Sequence, residues 1–120
     1  MLIIELVLLL LFVKHYLFDF VWQTSYMLEY KGVYGDLRGV AHSAGHGLGT
    51  SIIVLLFLGP WWAVVLGSVD GVLHYHIDWL KSNFGNKNIS DPIFWNHFGL
   101  DQMAHSLTYV FLAGFILRNI

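Results

Sequence analysis

Apolar residues run along this chain in four long stretches, near 2–23, 38–58, 60–80 and 97–117. Each is close to the ~20 residues a helix needs to cross a bilayer. Between the second and third stands Gly59-Pro60, followed by Trp61-Trp62. Glycine ends a helix, proline opens the next, and indoles favour a membrane interface. The other two connections are longer. The one at 24–37 carries Lys31, and the one at 81–96 contains Asn86, Lys87, Asn88, Ser90, Asp91 and Pro92, all loop formers. The pattern predicts an all-α, integral membrane four-helix bundle, built as one domain from two tandem helical hairpins. The first stretch lacks a basic leader and a small-residue cleavage site, so it is expected to be a retained span, not a signal peptide.

Composition supports the membrane reading. The chain is 57% hydrophobic and 12% charged, where soluble domains average about 45–50% and about 25%. Six Lys+Arg against eight Asp+Glu leave no basic excess, which argues against nucleic acid as a partner. Without cysteine, disulfides, thiolate metal sites and cysteine nucleophiles are excluded. Lys31, Arg38, Lys81 and Lys87 flank the two long connections, while Arg118 lies at the opposite end. That bias predicts the orientation of a multi-pass membrane protein. Its long connections should face the cytoplasm, with both termini outside.

Ionisable groups inside such spans cost about 2.5–3.5 kcal/mol each on insertion scales, so their presence calls for an explanation. Each span holds one pair at i,i+4: His15 and Asp19, His42 and His46, His74 and Asp78, Asp101 and His105. This spacing puts both side chains on one helix face. All four pairs fall one to two turns inside the expected cytoplasmic ends. Asp19, His42, Asp78 and Asp101 should form an outer layer, and His15, His46, His74 and His105 an inner one about 6 Å deeper. The positions also repeat at an offset of 59: His15 with His74, Asp19 with Asp78, His42 with Asp101, His46 with His105. Such parallel repeats predict a pseudo-two-fold along the membrane normal, with a site at their interface.

Three carboxylates bunched at low dielectric repel one another, and a divalent cation relieves that, with imidazoles completing its shell. Carboxylate and imidazole donors without sulfur suit one or two ions of Zn, Mn or Fe. The eight paired residues are the candidate ligands. Around them, Asp70 is placed either to orient an imidazole or to ligate more deeply, and Gln23 and Gln102 to hydrogen-bond ligating carboxylates. Lys81 is placed to meet an anionic substrate, and Lys14 to snorkel toward the interface. His76 faces away from His74, and His97 is expected to be solvated. Gly45 and Gly49 give the second span a small-residue face for close packing.

The string His15-x-x-x-Asp19-Phe20-x-x-Gln23, then His42, His74-x-x-x-Asp78-x-x-Lys81 and Asp101-Gln102-x-x-His105, resembles the DUF3307 family over nearly the whole chain. That resemblance implies a small multi-pass membrane protein of bacteria or tailed phages, in the bacterial inner membrane or in a host membrane if phage-encoded, and no particular activity. A looser likeness to membrane-bound metal-dependent hydrolases rests on intramembrane His and Asp residues. It implies hydrolysis only by analogy.

Three functions are compatible with these residues. A metal near the cytoplasmic leaflet can activate water and polarise an ester, making a hydrolase of a membrane lipid or another phosphoester. Alternatively, the same set holds a structural metal in a non-enzymatic membrane effector, or lines an ion or proton path. The apolar outer half of each span weighs against transport. Spacing alone leaves substrate, metal and oligomeric state open.

Overall fold

The computed structural model describes residues 1–120, which fold into helices with no strand. Helix α1 spans Ile3–Tyr16 and runs directly into a π-helical turn at Leu17–Val21. Helix α2 is short, Ser25–Tyr30. Three long helices follow: α3 at Leu37–Leu58, α4 at Pro60–Phe84 and α5 at Pro92–Asn119.

Local chemistry explains most boundaries. Thr24 Oγ1 accepts from the Met27 amide to open α2, Asp36 from Arg38 to open α3, and Asp91 from Ile93 to open α5. Such caps satisfy backbone donors that have no partner within the helix. Pro60 and Pro92 open α4 and α5, where their missing N–H costs nothing. Gly59, at φ 83°, makes the α3–α4 turn in a region that disfavours side chains.

The predicted stretches correspond to α1 with its π turn, α3, α4 and α5. Helices α4 and α5 extend past the expected ends, and α2 occupies a connection expected to be plain loop. Two helices, Leu37–Leu58 and Pro92–Asn119, are long and apolar enough to cross a membrane. In α1 the regular helix is only 14 residues long. Helix α4 carries Asp70, Asp78 and Lys81 within its length.

Neighbouring helices touch in the order α1, α3, α4, α5 and back to α1. Helices α1 and α4 therefore stand on one diagonal and α3 and α5 on the other, but the close α3–α4 seam has no equal between α1 and α5, so the contacts do not repeat between the halves. The α3–α4 contact is the tightest. A Cβ on Gly47 would lie 2.6 Å from the Gly67 carbonyl oxygen, so only glycine lets the two backbones approach this closely. Gly45 and Gly49, the expected small-residue face, pack closely against Phe18 and Lys14 of the first helical segment.

Two kinds of interior result. At the Gly59 end, Val7, Leu11, Val54, Leu66, Leu112 and Ile116 form a closed apolar core. At the other end the interior is polar. Of 25 buried residues, 12 are polar or charged, whereas Leu9, Ile52, Leu56, Val64, Leu107 and Phe111 are exposed. This inverts the usual soluble arrangement.

Candidate metal centre

The π turn positions the first candidate ligand, Asp19. An extra residue per turn, closed by the Trp22 amide donating to Leu17 O at 2.7 Å, widens the helix at Asp19. Such turns recur at functional sites because they re-aim side chains. His15 Nε2 stays 3.5 Å from Asp19 Oδ2, so the expected i,i+4 pairing survives. Meanwhile Asp19 Oδ1 reaches across to α3 and α4. It lies 2.9 Å from His42 Nε2, 2.9 Å from His46 Nε2 and 3.4 Å from His74 Nε2. The Nε2 atoms of His42 and His74 are 3.2 Å apart. Three imidazole nitrogens and one carboxylate oxygen thus converge on one point.

His74 links this group to the rest. Its Nε2 is 3.2 Å from Asp78 Oδ2, and its ring lies 3.6 Å from that of His46 and 4.2 Å from that of His105. His105 Nε2 in turn is 3.4 Å from Asp78 Oδ1 and 3.5 Å from Asp101 Oδ1. The donors fall into three overlapping sets: Asp19 with His42, His46 and His74; His15 with His74 and His105; and Asp78 with Asp101 and His105. All eight ligand candidates lie in this one cluster. The expected separation into two layers is not kept. Side chains of the outer layer lean inward until His42 meets His74 and Asp19 meets His46.

Three lysines share the charge balance. Lys31 Nζ is 2.9 Å from Asp78 Oδ2, and Lys81 Nζ is 3.3 Å from Asp101 Oδ2. Lys14 Nζ is 2.7 Å from Asp70 Oδ2 and 3.1 Å from Thr50 Oγ1. Asp19 alone among these four carboxylates has no lysine within ion-pair distance; only imidazoles face it.

A family model described as "Protein of unknown function (DUF3307)" matches residues 7–119. The chain belongs to the DUF3307 family. No curated protein and no solved structure matches it.

Several neighbours of the cluster in this DUF3307 chain differ from expectation. Lys14 does not snorkel: it is buried against Asp70, because an inward-facing ammonium ion is better compensated by a carboxylate than by apolar surroundings. Asp70 accordingly reaches the cluster only through Lys14, whose Nζ lies 3.4 Å from His46 Nδ1. Gln23 donates to the backbone oxygen of Asp19, not to its carboxylate, since the π turn carries that carboxylate toward the histidines. Gln102 does hold a ligand carboxylate, donating to Asp101 Oδ2 at 3.0 Å, and its Oε1 lies 3.1 Å from His15 Nε2. Lys81 pairs with Asp101. His97 is engaged rather than simply solvated: its Nδ1 accepts from the Asn86 amide at 2.8 Å and ties the α4–α5 connection to α5. His76, as expected, points elsewhere, to Tyr34 and the Val72 carbonyl.

Lys31, Thr50 and Tyr109 were not anticipated at the site. Tyr109 OH lies 2.9 Å from His15 Nδ1, where the polar cluster meets the apolar core. Lys14 and Asp70 did leave a signal. Each is a charge within an apolar stretch, with no opposite charge four residues away on its own helix.

Proposed function

We propose that this chain is an integral four-helix membrane protein. In this reading a divalent metal ion is held by Asp19, His42, His46 and His74, and used to hydrolyse a phosphoester at the membrane surface. The observation carrying the metal is the spacing of those four donors. A tetrahedral ion with bonds of ~2.0–2.1 Å sets its ligand atoms about 3.3 Å apart. The distances among these donors given above run from 2.9 to 3.4 Å. Three imidazoles and a carboxylate without sulfur suit zinc, manganese or iron. By expanding its shell beyond the four protein donors, such an ion would bind a water, lower its pKa and polarise the bond to be broken.

The membrane part rests on the inverted interior, the exposed apolar flanks and the length of the bundle. Its long axis of 44 Å matches a hydrocarbon core with its headgroup regions, about 40–45 Å. The N-terminal span is α1 continued through the π turn. The charged residues of α4 face the interior, where a spanning helix tolerates them. The long connections belong on the cytoplasmic side and both termini outside, following the Lys/Arg bias. The closed apolar core at the Gly59 end supports a hydrolase over a transport path, because no polar route continues through it.

Metal quantification by mass spectrometry tests the centre. Purified protein should carry at least one transition-metal ion per chain. Asp19→Asn should lose the ion together with phosphoesterase activity, and His76→Ala should keep both. Metal below a tenth of stoichiometry after reloading refutes the centre. A terminal tag reachable only from the cytoplasm refutes the orientation.

A further inference from the structure

The proposed ion uses only half of the cluster. Asp78, Asp101 and His105 form a second convergence whose side chains are 8%, 4% and 2% exposed. The Asp101 Oδ1 and His105 Nε2 atoms are buried and have no hydrogen-bond partner. Buried polar atoms are seldom left this way, because each forfeits its hydration. Behind the two carboxylates, Asp78 Oδ2 lies 2.9 Å from Lys31 Nζ without a hydrogen bond, and Asp101 Oδ2 accepts from Lys81 at 3.3 Å and from Gln102 at 3.0 Å. Their inner oxygens face His105 at 3.4 and 3.5 Å. Two carboxylates held from behind, with an imidazole opposite and nothing between, are arranged as ligands to a cation.

Asp78 connects this second group to the surface. Asp78 lies on the wall of a cavity of about 590 Å³, lined also by Lys31, Lys81, Lys87, Asn83 and Asn86. Three of the chain's six Lys+Arg residues gather there. Glu29 is the only acid besides Asp78 on that wall. Lysines and amides without an excess of acid recognise an anion, and ammonium groups are common phosphate binders.

We infer that Asp78, Asp101 and His105 bind a second divalent ion, and that the lysine-lined cavity delivers the phosphate group of a phosphoester to it. Three protein ligands leave coordination positions open for a phosphate oxygen, which the four-donor Asp19 site offers only by expanding its shell. The carboxylate-rich second site suits a harder ion, manganese or magnesium. The inference deepens the proposed hydrolytic reading and rests on it: the Asp19 ion anchors the centre, and the Asp78–Asp101 ion meets the substrate.

The test loads protein in nanodiscs with Mn²⁺, counts the bound ions, and then titrates inorganic phosphate by calorimetry. Wild type should hold two ions, Asp101→Asn one and Asp19→Asn one. Phosphate should bind wild type and fail to bind Asp101→Asn. Lys31→Met and Lys81→Met should each weaken phosphate about tenfold, the loss of one charge-assisted hydrogen bond. Lys87 forms no ion pair, so Lys87→Met weakens phosphate without disturbing the fold. Displacement of phosphate by phosphatidic acid in the bilayer assigns the cavity to a lipid headgroup. Displacement by glycerol phosphate alone assigns it to a soluble phosphoester, and both outcomes support the site. One ion, lost in Asp19→Asn and kept in Asp101→Asn, overturns the second site and leaves the first standing. No ion in wild type removes both. Phosphate binding that is equal in wild type and all three lysine variants overturns the role of the cavity.

Discussion

Removing the Lys14 ammonium should unbalance the most deeply buried lysine–carboxylate pair in the protein. Lys14 is 5% exposed and Asp70 1%. Their 2.7 Å contact is reinforced by Thr50, which donates to the same Asp70 oxygen at 2.6 Å. In Lys14→Met the volume is nearly kept, but Asp70 retains only the Thr50 hydroxyl. Breaking a buried pair from one side costs about 3–5 kcal/mol, because the remaining charge is stranded away from water. Asp70→Leu strands the ammonium in the same way. Making both changes at once removes both charges and leaves the Thr50 hydroxyl without the donor and the acceptor it had, about 1–3 kcal/mol. The double variant should therefore be more stable than either single variant, with a coupling of at least about 3 kcal/mol. Unfolding in mixed micelles titrated with SDS, followed by the fluorescence of the five tryptophans, measures all four corners of this cycle. Single variants within ~1 kcal/mol of wild type, or a double variant as unstable as the two losses added, would refute the reasoning.

Gly67→Ala should destabilise the bundle by about 1–3 kcal/mol, the range for overpacking a close contact. Its Cβ would meet the Gly47 carbonyl oxygen at 2.6 Å as well as the Ser51 side chain, whereas Gly114→Ala has nothing within 4 Å and should be tolerated in the same unfolding assay. Asp36, ahead of α3, accepts from the Arg38 guanidinium at 2.6 and 2.7 Å, which holds its carboxyl at about 2. Because the folded value is depressed, this contact is complete above the usual 3.8 and is lost as the pH falls through about 2. A carbon-13 titration of the Asp36 carboxyl should show that low midpoint, and Arg38→Gln should return it toward 3.8.

Much of the site was legible in the sequence because one rule links sequence to space inside a helix. Residues four apart share a face. His15 with Asp19, His74 with Asp78 and Asp101 with His105 therefore stay paired, each at 3.2 to 3.5 Å. Their common distance from the ends of the apolar stretches, and the offset of 59 between halves, likewise placed all eight residues at one end of the bundle. The all-α character and three of the four long helical segments followed from apolar length alone.

Other features depended on the tertiary arrangement. Which of the six glycines along α3 and α4 would bring the backbones together depends on the rotation of each helix about its axis, and periodicity leaves that angle free. The pairing of Lys14 with Asp70 joins residues 56 apart and requires α1 and α4 to present these side chains to one interior. Lys31 reaches Asp78 only because α2 turns the first connection back over the bundle. The π turn at Asp19 depends on a balance between one strained helical turn and contacts with three histidines on other helices. Local spacing encodes which residues share a face. Distances between faces depend on how the whole set of helices packs, and the merging of two expected layers into one cluster was decided there.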